Sequence, residues 1–239
     1  MSDPAGETGL DALSRRAVRP TGWLLALLLP LWLFVAAQAP LDSVQGVVQK
    51  ILYVHVPCAF AAYLGFACTA VGGALYLWRR EEHWDRFAAS SAEVGVLFCA
   101  LVIATGPIWA RASWGRWWSW DLRLTVTLLL FLVYLSYLLL RSFTEGSERT
   151  ARFAAVYGIA GLAIVPLNYL AIDLAGGRSI HPENLQRGSL GPGMRAPFWL
   201  GVGTALLAFA HLLARRVELA ALGERAAARA AAAEAVEAP

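Results

Sequence analysis

The chain has 239 residues, 58% of them apolar and 15% charged, against about 45–50% apolar and about 25% charged in soluble domains. Its 20 basic and 17 acidic residues leave a formal charge of +3, too mild a balance to point to nucleic acid. The apolar residues come in long blocks with no polar stretch large enough for an independent soluble domain, which excludes a soluble enzyme. The three cysteines, Cys58, Cys68 and Cys99, fall inside those blocks without a CxxC or CxxCH pattern. They read as small buried hydrophobes, and thiol chemistry, structural zinc and covalent cofactor attachment are disfavoured.

In chain order, a short polar segment (residues 1–21) carries Arg15, Arg16 and Arg19 and leads into a first apolar run, Gly22–Ala39. That run ends in Ala37-Gln38-Ala39, which imitates a signal-peptide cleavage site. It is long for a signal core and Pro40 follows at once, so the expectation is an uncleaved anchor. Five more runs follow: Ile51–Trp78, Ala88–Ala110, Leu124–Leu140, Phe153–Ile172 and Pro197–Ala214. Each is long enough to cross about 30 Å of hydrocarbon as a helix. None alternates with period two, so a β-barrel is rejected. The expected fold is an all-α integral membrane protein with six transmembrane helices over 22–214. An Ala-rich tail, 215–239, is expected to be a solvated or interfacial helix.

Six spans put both termini on one side. Thirteen basic residues fall on that side. Seven fall on the other: Lys50, Arg111, Arg116, Arg123, Arg178, Arg187 and Arg195. The positive-inside rule then places both termini in the cytoplasm and turns the first, third and fifth loops outward. Within the spans, Pro57 either loosens the second helix or is an ordinary transmembrane proline. Thr105-Gly106-Pro107 suggests a bend in the third. Glu93 is either an interfacial acid or a helix-pairing or docking group.

The loop between spans three and four is the most unusual stretch. With Trp109, it places five of the ten tryptophans within 12 residues, the others being Trp114, Trp117, Trp118 and Trp120. Two readings stand: an aromatic belt at the membrane interface, or a platform for a large planar ligand. Were the loop helical, Trp114, Trp118 and Asp121 would share a face and Trp120 would point elsewhere. Arg111, Arg116 and Arg123 could meet carboxylates on a ligand's edge. Asp121 could pair with Arg116 or Arg123, or cap the loop helix.

Of the four histidines, His83 reads as solvated and His211 as a packed interfacial residue. His55, about 7 Å along a helix from Lys50, and His181, in the long fifth loop, lie on the same side as the tryptophans. Structural histidines and axial ligands to a planar iron macrocycle both remain open for this pair.

Trp114-Gly115-x-x-Trp118-x-Trp120-Asp121 resembles the WGxxWxWD signature of the tryptophan-rich haem-handling proteins of cytochrome c maturation. Six spans, Tyr53-Val54-His55-Val56-Pro57 at the start of the second, and a second outer-loop histidine resemble the haem exporter protein C (CcmC) branch. The likeness covers Gly22–Ala214. It implies haem b held non-covalently at the periplasmic face of the bacterial inner membrane, with His55 and His181 as iron ligands. Trp114, Gly115, Trp118, Trp120, Asp121 and Arg123 would form the haem and chaperone platform. It also implies delivery to a periplasmic haem chaperone, alongside an ABC-type ATPase/permease pair and a small single-span protein. The chain has no P-loop, so ATP hydrolysis falls to a partner. The competing reading is a membrane b-type cytochrome electron-transfer subunit, which would also use paired histidines.

Overall fold

A computed structural model describes residues 8–143, 147–186 and 188–237. Arg187 of the basic count, residues 1–7 of the N-terminal segment and the last two of the tail lie outside the described residues. The described residues form seven α-helices: α1 (Gly9–Gln38), α2 (Leu52–Arg79), α3 (Glu82–Trp114), α4 (Leu122–Phe143), α5 (Glu148–Leu162), α6 (Ile164–Leu174) and α7 (Arg195–Glu237). A 3₁₀ turn, Val47–Ile51, leads into α2. With α5 and α6 taken as one crossing, six helical segments are long and apolar enough to span a membrane.

Local chemistry sets the boundaries. Thr8 and Asp11 close a capping box at the start of α1, which satisfies two otherwise orphaned amides. Gly115 ends α3 in the left-handed region at φ 73°, where a side chain would be strained. The fifth expected span is broken at Ala163, between α5 and α6. Pro166 has no N–H to offer the Leu162 carbonyl and its ring crowds that turn, so the helix kinks. The expected boundary at 214/215 falls inside α7, which runs unbroken into the tail. Tail residues Val217 and Ala221 are buried, so the tail's first turns pack on the bundle.

The bundle is held by close helix crossings at small residues. A Cβ on Gly65 of α2 would lie 2.6 Å from the Gly95 Cα of α3, and one on Gly73 would lie 3.1 Å from the Ala155 carbonyl oxygen of α5. Such approaches substitute for a hydrophobic driving force that lipid does not supply. Phe66 and Tyr134 stack at 3.8 Å between centroids in the centre, and the Tyr134 hydroxyl donates to the Gly158 carbonyl. Helix α1 is peripheral and packs mainly on α7. Its exposed Trp23, Leu27 and Phe34 form an apolar outer face suited to lipid.

The two ends of the bundle differ. One end gathers the α1–α2, α3–α4 and α6–α7 connections. The other gathers the start of α1, the tail and a set of ion pairs. There Arg86 binds Asp11 at 2.7 Å and also Glu224, Arg141 binds Asp85 through two hydrogen bonds, and Arg216 binds Glu93. Glu93 thus pairs helices, one of the two roles expected for it. His83, expected to be solvated, has a side chain only 18% exposed beside Glu81 and tilted against Trp84.

Candidate functional site

A cavity of about 440 Å³ opens at the end that gathers the three connections, between α2, α3, α4 and the α6–α7 connection. Its volume falls in the range of small-molecule sites, about 300–1,000 Å³. His55 and His181 both line it, as do Trp114, Trp118 and Arg123. Its mouth is polar, with Asp42, Gln45 and Asn184, and its floor is apolar, with Ala62, Val102 and Leu130.

His55 comes from the first turn of α2. Its Nδ1 lies 2.9 Å from the Thr105 hydroxyl of α3. That hydroxyl has one hydrogen and lies 2.7 Å from the Leu101 carbonyl; donating there, it accepts from His55. Nδ1 therefore carries the proton and Nε2 keeps its lone pair. Gly106 leaves room for the ring, since a Cβ there would stand 3.3 Å from His55 Cε1. His181 reaches the same state by another route. Its Nδ1 is 2.8 Å from the Pro182 carbonyl oxygen, which can only accept, so Nε2 is again the free base. Burial is the main cause holding the His181 imidazole below the ordinary histidine range, and Arg123 adds to it. The Pro182 hydrogen bond and Asp121 act in the opposite direction. A neutral imidazole with its Nδ1 proton held by an acceptor is the form that ligates a metal.

The Trp-rich segment does not form the helix that would give Trp114, Trp118 and Asp121 a common face. Gly115 ends α3, and residues 115–121 are non-helical up to the start of α4. Trp114 and Trp118 still meet on the cavity wall. Trp114 packs edge-on against Trp109 at 4.9 Å, and Trp118 edge-on against Trp120 at 6.0 Å. Trp118 Nε1 is buried with no acceptor among the described residues. Trp120 is 77% exposed and stands outside the cavity lining. Gly115 supplies the turn and does not line the cavity.

Asp121 is buried, and of the two roles expected for it, pairing with an arginine or capping a helix, its carboxylate takes the second and meets backbone amides. One oxygen accepts from Arg123 N at 2.8 Å and caps α4. The other accepts from Ile180 N at 2.9 Å. Asp121 therefore clamps the residue next to His181 onto the start of α4. Arg123 sends Nη1 to the carbonyls of Asn168 and Tyr169 and to Asn184 Oδ1. All three acceptors are neutral, so among the described residues the guanidinium on the cavity wall has no carboxylate partner. Arg116 is exposed, and Arg111 donates to the Gly115 carbonyl.

Sequence reasoning missed Thr105, Asn168 and Asn184. Thr105 was visible only as part of a bend, and nothing local ties it to a histidine 50 residues away. His211, read as a packed interfacial residue, sits between α1 and α7 with Nδ1 3.0 Å from the Thr21 hydroxyl.

A family model described as Heme exporter protein C matches residues 3–237. Among curated proteins, the chain is 34% identical over 176 residues to a Heme exporter protein C of Bradyrhizobium diazoefficiens, covering 72% of this chain and 66% of that one. It is 33% identical over 149 residues to a cytochrome c biosynthesis ccmC-like mitochondrial protein of Marchantia polymorpha, covering 62% and 60%. It is 32% identical over 199 residues to a Heme exporter protein C of Paracoccus denitrificans, covering 77% and 80%. The chain thus spans somewhat under two thirds of the first two relatives' length.

Proposed function

The chain belongs to the heme exporter protein C family, and from that premise we propose that it holds haem b in the cavity between His55 and His181 and delivers it to a periplasmic haem chaperone. The observation that carries this reading is the matched state of the two imidazoles. Each lines the cavity, and each gives its Nδ1 proton to an acceptor so that Nε2 remains a free base.

The donor set fits haem on independent grounds. Haem brings two open axial positions, a flat π face and two carboxylates. His55 and His181 are nitrogen donors of the right kind. Trp114 and Trp118 supply aromatic wall. Arg123 keeps an uncompensated charge, and Trp118 Nε1 is a buried donor that lacks an acceptor. The apolar floor takes the hydrocarbon part of the ring. His181 stands in a connection and not on a facing helix, which supports a holder that releases its cargo over an electron-transfer subunit. The exposed Trp120, packed on Trp118, is the group through which a docked chaperone would meet the haem edge.

In this reading both termini are cytoplasmic and the cavity faces the periplasm of a bacterial inner membrane. The partners are an ABC-type ATPase/permease pair, a small single-span protein and the chaperone. Reporter fusions at Ser147 and Ser189 should fall on opposite sides, with Ser189 outside; the same side for both would break the six-span topology. The deciding experiment is the visible spectrum of the purified protein. It should carry non-covalent, six-coordinate low-spin haem. His55→Ala or His181→Ala should open one axial position and weaken retention. His83→Ala and His211→Ala should leave the spectrum alone. A spectrum that responds to the second pair and not the first overturns the assignment.

A further inference from the structure

Asn168 is fully buried in α6, two residues past Pro166 and its kink. Its amide is wholly engaged. Oδ1 accepts from the Tyr63 hydroxyl of α2. Nδ2 donates to Thr127 Oγ1 at 2.8 Å and to the Arg123 carbonyl at 3.3 Å. The orientation of the amide is set by the protein: Thr127 Oγ1 already gives its hydrogen to the Arg123 carbonyl at 2.7 Å, so it needs a donor and not an acceptor from Asn168. The main-chain carbonyl of Asn168 then accepts from Arg123 Nη1 at 2.8 Å. Asn168 thus grips residue 123 at both its backbone and its guanidinium.

We propose that Asn168, backed by Tyr63 and Thr127, is a positioning residue that presents the Arg123 guanidinium to a carboxylate of the cargo without neutralising it. The inference rests on the haem reading above and deepens it by assigning what selects the ring's acidic edge. Its physical basis is the choice of acceptors. Carbonyl and amide oxygens orient a guanidinium through hydrogen bonds but leave its full charge for a ligand, and a charge-assisted pair is about twice as strong as a neutral one. An aspartate at 168 would do the reverse. It would place a carboxylate beside Arg123 and remove the donor that Thr127 requires.

The test compares uptake of haem b with uptake of haem b dimethyl ester, whose propionates are blocked, by the purified full-length protein. The readouts are affinity and the low-spin spectrum. The wild type should prefer haem b over the ester. Asn168→Asp should cut that preference by about tenfold, near 1.4 kcal/mol, while the ester is bound as before and the spectrum stays low-spin with both. Tyr63→Phe and Thr127→Val each remove one hydroxyl and should narrow the preference by about threefold; they carry the test alone if Asn168→Asp does not fold. Equal loss for both ligands would mean that Asn168 only packs the helices, and an unchanged preference would mean that Arg123 needs no help from it; either result overturns the proposal. A wild type with a His55-dependent low-spin spectrum but no preference also overturns it and leaves the haem reading intact. A wild type with no such spectrum overturns the haem reading itself.

Discussion

The two ends of the bundle treat charge in opposite ways. At the end that holds the start of α1 and the tail, cations meet carboxylates: Arg86 with Asp11 and Glu224, Arg141 with Asp85. At the cavity end, among the described residues, Arg123 meets neutral oxygens and Asp121 meets backbone amides. Closed pairs are self-sufficient and fix helices against one another. An arginine held by carbonyls is oriented but still lacks a counter-ion, so it is ready for an anionic ligand. The contrast divides charges closed in ion pairs from a charge held by neutral oxygens, the one that the proposed function assigns to a ligand.

Matched truncations at the two arginines test that division. Arg86→Leu leaves the buried Asp11 carboxylate with Arg225 at 3.4 Å and the Thr8 amide, and losing the closer arginine of a buried pair costs up to about 3 kcal/mol. The melting temperature in detergent should fall clearly, while haem in the folded fraction keeps its low-spin spectrum. Arg123→Leu should do the reverse. Haem retention should drop about ten- to hundredfold, as expected for one charge-assisted contact of about 1.5–3 kcal/mol, with a smaller fall in melting than Arg86→Leu gives. Equal melting losses and unchanged retention would erase the distinction between the ends.

Asp121→Asn probes the cavity end more finely. Both carboxylate oxygens accept from N–H groups, so an amide must turn its NH₂ toward one of two donors. Because no arginine pairs through Asp121, the variant should loosen the Ile180 contact and, with it, the placement of His181. A few-fold fall in the low-spin fraction is expected, with Arg123-dependent retention preserved. Loss of the preference for free propionates would instead place Asp121 in the Arg123 system.

Much of this architecture is legible in the residues. The six spans follow from run length, and the two cavity-lining histidines and the tryptophan cluster follow from their position relative to the spans. What escapes is whatever depends on distant backbone. The partner of Asp121 is an amide 59 residues away, and no side-chain pattern announces it. The expected helical face of Trp114, Trp118 and Asp121 fails because one glycine at φ 73° outweighs the tryptophan spacing. Asn168 looks like a stray polar residue because its three side-chain partners come from α2 and α4. The packed start of the tail is hidden by its alanine content, since Val217 and Ala221 make a weak apolar stripe.

The smallest expected effect comes from a device that the two ends share. At the cavity end, Thr105 accepts from His55 and Gly106 makes room for its ring. At the other end, Thr21 lies within hydrogen-bond distance of His211 Nδ1 and gives its own hydrogen to the Ala17 carbonyl at 2.6 Å. Gly22 makes room there, since its Cβ would stand 3.1 Å from His211 Cε1, against 3.3 Å for Gly106 and His55. The two Thr-Gly pairs thus hold two imidazoles in the same orientation, each with Nδ1 facing a threonine hydroxyl. They differ in what lies beyond Nε2: His55 lines the cavity, whereas His211 is packed between α1 and α7. Alanine at either glycine forces its neighbour to shift by a few tenths of an ångström, a mild overpacking compared with the usual 1–3 kcal/mol for an added methylene. Gly106→Ala should therefore tilt the His55 ring, and under the proposed ligation this is seen as a shift in the low-spin Soret band or electron paramagnetic resonance g-values and about a threefold faster loss of haem. Gly22→Ala should change neither and should register only as a small drop in melting temperature. A spectral change from Gly22→Ala would break the comparison, because it would make the packed histidine a participant in haem binding.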